Sequence, residues 1–169
     1  MLVIIMHPRS AGLIMYRWQV QELEIFLVHP GGPFWSKKDK GAWTVPKGEY
    51  SEGEQPLEAA KREFEEETGF ASHAPFLELG IIKQAGGKTV VAWAFEGNGD
   101  PAKLSSNLCR VEWPPHSGRV VEFPEADQGR WFSIPTAREY ILKSQEPLLD
   151  VLQQALWSLR STLRQVTHS

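Results

Sequence analysis

The segment from Gly48 to Phe70 constrains this chain more than any other, because it places a glycine, a spaced glutamate and a dense acidic run around one helix. A helix is predicted over Gln55 to Thr68: Pro56 suits a first turn, and the run that follows is rich in Ala, Glu, Lys, Arg and Leu. Gly69 then supplies a stop. At roughly 100° per residue, Glu63, Glu66 and Glu67 share one side of that helix, and Leu57, Ala60 and Phe64 form an apolar stripe beside it. One face can be buried while the next presents carboxylates.

Acids at i, i+3 and i+4 repel one another by a few tenths of a kcal/mol per pair, and a solvated helix usually interleaves them with bases. A bound divalent cation reverses the sign of that interaction. Hard oxygen ligands grouped in this way suit Mg²⁺ or Mn²⁺, which keep waters and bridge to substrate phosphates. Cys and His are not clustered, which argues against a soft-metal centre.

The full spacing carries more than the acidic run. Gly48, Glu54, Arg62, Glu63, Phe64, Glu66, Glu67, Gly69 and Phe70 occupy every fixed position of G-x5-E-x7-R-E-U-x-E-E-x-G-U, where U is a bulky apolar residue. The segment resembles the Nudix box, and Phe64 departs only in being aromatic where an aliphatic residue is commoner. The resemblance implies an α/β/α sandwich with a mixed β-sheet. It also implies hydrolysis of a nucleoside diphosphate linked to another moiety, by attack of water at a phosphorus of the pyrophosphate bridge.

For the residues, the resemblance implies Glu66 and Glu67 as metal ligands together with the backbone carbonyl of Lys47. Glu63 is either a ligand of a second metal or the base that deprotonates the attacking water. Arg62, with its planar fork, orients acidic neighbours. Glu54 supports the metal shell from the start of the helix, where a carboxylate is favoured. Gly48 and Gly53 are expected to let the loop turn closely.

Length and charge fit a self-contained enzyme. The 169 residues suggest one domain with a core from about residue 10 to 163, and a net charge of −3 gives no reason to expect non-specific nucleic-acid or membrane binding. Cys109 stands alone, so no internal disulfide is available, and a buried inert thiol is expected. Leu2 to Met6 is apolar but short and lacks a basic leader, so a cytoplasmic protein is expected.

Strands are predicted at Ser10–Trp18, Leu23–His29, Trp43–Pro46, Phe76–Gln84, Lys88–Gly97, Arg119–Phe123 and Arg130–Ile134, with a hairpin turn at Gly86-Gly87. Helices are predicted at Pro135–Lys143 and Glu146–Arg164, the second with Leu148, Leu149, Leu152, Leu156 and Leu159 at helical spacing. Strands alternating with helices agree with an α/β sandwich.

Outside the box, the long loop after His29 carries Phe34, Trp35, Lys37, Lys38 and Lys40. Long loops are often functional. Its lysines and Lys47 are candidates for binding distal phosphates, and Phe34 or Trp35 for stacking on a base, against the plain alternative of solvated lysines and core-covering aromatics. His29 is expected to be structural. The form Trp43-x-x-Pro46-Lys47-Gly48 resembles that of hydrolases acting on dinucleoside polyphosphates and diphosphoinositol polyphosphates. A late acidic ligand is expected before Trp131: Glu125 first, then Glu122 and Glu112, with Asp127 as a turn former. The leading function is therefore a Mg²⁺- or Mn²⁺-dependent pyrophosphohydrolase acting on a small nucleotide or polyphosphate. The alternative is a catalytically idle nucleotide-binding module, a state normally accompanied by lost box glutamates, and here none is lost.

Overall fold

The computed structural model describes residues 8–167, so the apolar Leu2–Met6 segment lies outside the described residues. Strand β1 (Arg9–Gln19) turns at Val20 into the antiparallel β2 (Glu22–Pro30), with Arg17 paired to Glu24 across the register at 2.8 Å. The short β3 (Lys47–Glu49) pairs with the start of β1 and leads through a loop into α1 (Pro56–Thr68). Next come β4 (Leu77–Lys83) and β5 (Thr89–Glu96), then a separate hairpin of β6 (Leu108–Glu112) and β7 (Val120–Pro124). β8 (Ala126–Ser133), α2 (Ile134–Tyr140) and α3 (Pro147–Val166) follow.

The main sheet runs β4-β5-β1-β2-β8 with β3 branching from β1, and its β1–β5 pair is parallel while the others are antiparallel. It is a mixed sheet, as expected. Alternation in β1 and β2 splits the core between the two faces. Ala11, Leu13, Met15, Phe26 and Val28 pack under Ala59, Ala60 and Phe64 of α1. Ile14, Ile25 and Leu27 meet Ala137 of α2 and Leu148, Leu149, Leu152 and Leu156 of α3 on the other face. The result is the α/β/α sandwich that the box implies.

Several boundaries differ from expectation. α2 stops at Tyr140 because Ile141 turns extended and bridges Trp43, burying both side chains. The strand expected at Trp43–Pro46 is reduced to isolated bridges, and regular pairing begins only at Lys47. β8 starts at Ala126, ahead of the expected Arg130, because Gly129 fits within it: a Cβ there would run into the Phe26 ring. Leu159 lies on the exposed side of α3. Strand β6 has no counterpart in the sequence reading. Its residues are mostly exposed on both sides, so it carries no alternation to recognise. Gly86 and Gly87 do adopt positive φ at the β4–β5 turn.

Candidate active site: three carboxylates and an aromatic cleft

Helix α1 owes its placement to both of its ends. Pro56 opens it, and Gly69 closes it in the left-handed conformation at φ 76°, donating to the Glu65 carbonyl. Thr68 is fully buried, and its hydroxyl donates back to the Phe64 carbonyl while accepting from the Phe70 amide. Phe64 meets Phe95 edge-on at 5.1 Å, so the aromatic ring in the apolar box position fills the core beneath the helix. This seating pushes Glu63 and Glu67 inward to 8% and 5% exposure, while the Glu66 side chain remains 41% exposed. The three acids thus do not share one environment, although helical spacing puts them on one side.

Glu63, Glu67 and Glu125 each offer a carboxylate oxygen within 4.8 Å of the others. Burial raises the pKa of Glu67 to about 9, with the charges of Glu125 and Glu63 adding to the shift and Lys47 opposing it through its charge and a backbone hydrogen bond. Burial also raises Glu63, opposed by a hydrogen bond from Arg62. Buried like charges at this spacing are costly alone and complementary to a cation. Their donor set consists of hard oxygens, so the residues present fit Mg²⁺ or Mn²⁺.

Arg62 ties the acids together. It grips Glu54 with Nε at 2.9 Å and Nη2 at 3.2 Å, a bidentate pair, while Nη1 donates to Glu63 at 2.8 Å and to Glu66 at 3.3 Å. Glu54 is held below its ordinary pKa by that hydrogen bond, and the Arg62 guanidinium is held more firmly protonated, first by Glu54. The expected orienting role of Arg62 therefore has a definite geometry.

The reason for glycine at 48 differs from the expectation. Gly48 has an ordinary negative φ, and a Cβ on it would overlap the carboxyl group of Glu63, so this position gives space to a side chain. Gly53 faces open space and also lacks positive φ, and nothing in the structure requires glycine there.

Glu125 reaches the cluster through a run of backbone hydrogen bonds that the sequence does not announce. The Asn107 amide donates to the Glu66 carbonyl at 2.8 Å, the Glu125 amide to the Asn107 carbonyl at 2.9 Å, and the Gly31 amide to the Glu125 carbonyl at 2.9 Å. Ser105 donates likewise to Thr68, and the Ser106 hydroxyl accepts from Ala126. The terminal carbonyls of α1, left without partners inside the helix, thereby anchor the segment that carries the third acid. Glu122 instead pairs with Arg110 at 2.7 Å on the exposed hairpin, and Glu112 lines the cleft beside it. Asp127 lies within β8 and meets His29 Nδ1 at 2.8 Å, so it is a hydrogen-bond partner of the ring where a turn former was expected.

His29 is 7% exposed, and its Nε2 contacts the Lys38 carbonyl at 2.6 Å, a structural role that fastens the basic loop to β2 and β8. Lys37 and Lys38 line a cavity with His29, Trp43, Asp127 and Arg130, whereas Glu125 and Trp35 line a separate aromatic one. Lys38 Nζ sits 3.6 Å over the Phe34 ring, and Lys40 Nζ lies 6.0 Å from that of Tyr140. Cys109 is half-buried, where full burial was expected, and the same partial burial raises its thiol pKa, with Glu125 contributing. Trp113 and Phe123 escaped the sequence reading, because only the folded hairpin brings them against the loop.

The NUDIX domain model matches residues 6–152. An RNA pyrophosphohydrolase of Bartonella henselae is 26% identical over 156 residues, covering 80% of this chain and 82% of the relative. One of Rhizobium meliloti is 33% identical over 96 residues, covering 48% of this chain and 54% of the relative, about half its length. Among solved structures, a C. elegans Ap4A hydrolase aligns with TM-score 0.58 at 23% identity, over 89% of this chain and 98% of that one. A MutT/nudix protein of Listeria innocua aligns with TM-score 0.60 at 17% identity, over 92% and 97%. These structures share the fold. The relatives support pyrophosphohydrolase chemistry on a diphosphate-containing substrate in general terms. With the box intact in sequence, its acids gathered in space and the domain model spanning most of the chain, the protein belongs to the Nudix family.

Proposed function

We propose that this protein is a Mg²⁺- or Mn²⁺-dependent pyrophosphohydrolase that cleaves an anhydride bond in a nucleoside diphosphate derivative, with dinucleoside polyphosphates as the preferred class. The observation that carries the reading is the convergence of Glu63, Glu67 and Glu125. When bound, the cation supplies charge neutralisation for the bridging and terminal phosphate oxygens. Glu67 and Glu125 would hold it, with Glu66 at the rim and the Lys47 carbonyl as further candidate ligands. Glu63, steadied by Arg62, stands where it can take the proton of the attacking water or add a ligand oxygen. Water adds to one phosphorus, the bridging P–O bond breaks, and two phosphate-terminated products leave. The preference for several phosphates is supported by Lys47, whose charge acts on Glu67, and by the basic cavity that Lys37 and Lys38 line with Arg130.

A second reading, removal of diphosphate from a 5′-triphosphorylated RNA end, is favoured by the names of the relatives. The net charge of −3 argues against broad affinity for RNA, so such an end would be gripped locally by the same lysines. One panel decides: dinucleoside tetraphosphate, nucleoside triphosphate, nucleotide sugar, diphosphoinositol and 5′-triphosphorylated RNA, each with Mg²⁺ or Mn²⁺, followed by chromatography of products. Fastest turnover of the dinucleoside polyphosphate is expected. Turnover confined to RNA ends would transfer the assignment to the second reading, and no turnover of any member would leave an idle binding module.

A further inference from the structure

Glu125 is the acid of the cluster that does not come from α1, so the helix that places Glu63 and Glu67 cannot by itself set its direction. Its backbone is fixed on both sides instead. The peptide plane before its Cα is held by its own amide, which donates to the Asn107 carbonyl at 2.9 Å. The plane after it is held at the Glu125 carbonyl, which accepts from the Gly31 amide at 2.9 Å. These bonds join backbone to backbone, as do those from Ser105 to Thr68 and from Asn107 to Glu66.

The Ala126 amide, which shares its peptide plane with the Glu125 carbonyl, is held differently: it donates at 2.9 Å to the Ser106 hydroxyl. β8 is an edge strand, and its ladder to β2 shifts register between His29 and Pro30, opposite Ala126. A side chain takes over where regular pairing falters. Ala126 is 3% exposed, so without the hydroxyl its amide would be buried and unpaired. The Ser106 hydroxyl donates in turn to Asn107 Oδ1 at 3.4 Å, which leaves its oxygen free to accept from Ala126. Ser106 is itself set from both flanks, because its neighbours Ser105 and Asn107 are bonded to the last turn of α1 and Leu104 packs into the core beneath that helix. The hydroxyl therefore ties the position of α1 to the peptide plane that directs Glu125.

We infer that Ser106 is a positioning residue for cation capture: its hydroxyl fixes the peptide plane after Glu125 and so aims the Glu125 carboxylate at Glu63 and Glu67. The inference deepens the proposed function and rests on its reading of the three carboxylates as the metal site. Their oxygens lie within 4.8 Å of one another, and groups that act together on a ligand must be held to within about 0.5 Å. A small turn of the Glu125 backbone is enough to break the set.

Mn²⁺ affinity, read by electron paramagnetic resonance on the full chain, tests this in a double-mutant cycle of Ser106→Ala and Glu125→Gln. Ser106→Ala should weaken Mn²⁺ binding about 10- to 100-fold, the range typical of partners one step behind the ligands. Ser106→Thr retains the hydroxyl and should bind close to the wild type. Ser106→Cys keeps the bulk with a poorer acceptor and should lose affinity in the same direction as Ser106→Ala. In a Glu125→Gln background, Ser106→Ala should have no further effect, because its action passes through that carboxylate, whereas general damage to the fold would weaken both backgrounds alike. Circular dichroism checks the fold of each variant. Unchanged affinity in Ser106→Ala and Ser106→Cys, an equal loss with and without Glu125, or an equal loss in Ser106→Thr would overturn the inference. Mn²⁺ binding as tight in Glu125→Gln as in the wild type would overturn it together with the metal reading. Coupled loss of Mn²⁺ affinity without turnover of any substrate would instead overturn the hydrolase reading and leave the role of Ser106 standing.

Discussion

Glu63 and Glu67 are nearly buried and meet fixed polar partners, whereas across the cleft Phe34 is half-exposed and Lys38 rests on its ring. None of the ion pairs among the described residues involves Lys37, Lys38 or Lys40. The acidic side is specified to the atom, by a guanidinium fork, a missing Cβ and a chain of backbone hydrogen bonds. The other side is specified by kind: rings and cations that can adjust to what arrives. Electrostatic work on a reacting phosphate needs prearranged groups, while recognition tolerates surfaces that adapt. The two sides differ in how many polar partners fix their side chains.

The largest effects should come from the rigid side. Glu63→Gln and Glu67→Gln preserve shape and remove charge, and each is expected to lower turnover by about 10²- to 10⁴-fold with the fold intact. Electron paramagnetic resonance of added Mn²⁺ should show weakened binding in Glu67→Gln. Near-normal turnover in either variant would mean that the cluster is not the seat of the chemistry.

Gly48→Ala comes next. Its new methyl would compete with the Glu63 carboxyl for one volume, and a displacement of about 1 Å is expected to cost on the order of 100-fold in kcat. Unchanged kcat would show that Glu63 has another productive position.

A pH series sharpens the same contrast. A carboxyl whose pKa is raised on folding stabilises the protein while protonated, and that contribution fades as pH climbs from about 4.5 towards about 9. In metal-free protein, the melting temperature should therefore fall across this window. Glu67→Gln should flatten the fall, and Mn²⁺ should offset it. A flat wild-type profile would contradict the burial of a like-charged cluster.

The smallest effects belong to the adaptable side. Replacing Lys37, Lys38 and Lys40 together by Ala should raise KM for a dinucleoside tetraphosphate several-fold, and less for a two-phosphate substrate, with the difference shrinking as salt rises beyond about 0.15 M. Equal effects on both substrates would show that the loop does not count phosphates.

The sequence reveals the acidic side far better than the aromatic one, for a physical reason. Box residues lie within a single helix and the loop before it, so their relation follows from helical geometry and can be read locally. Even there burial escaped notice: helical spacing does not separate Glu66 from Glu67, because the difference arises from what Phe64 and Ala60 pack against. Glu125 was the leading late acid, yet the reason it arrives, an amide chain through Asn107, has no signature because backbone groups are common to all residues. Phe123 falls within a predicted strand and Trp113 within none, but their packing against the loop has no local signature, since exposed β6 lacks the alternation that marks a strand and their neighbours Gly32 and Phe34 lie far away in the chain.

The amide of Glu125 bonded to the carbonyl of Asn107 has one more consequence. It closes the chain into a ring at the foot of the hairpin, with the Asn107 end bonded to the helix that holds the acids and the Glu125 end to Asn107 and Gly31. Lengthening a closed loop costs little, about 0.6 kcal/mol per doubling. Everything from Leu108 to Pro124 is therefore a replaceable cassette: over generations its tip can be extended, trimmed or exchanged for another surface, and the cutting edge beside it keeps its shape.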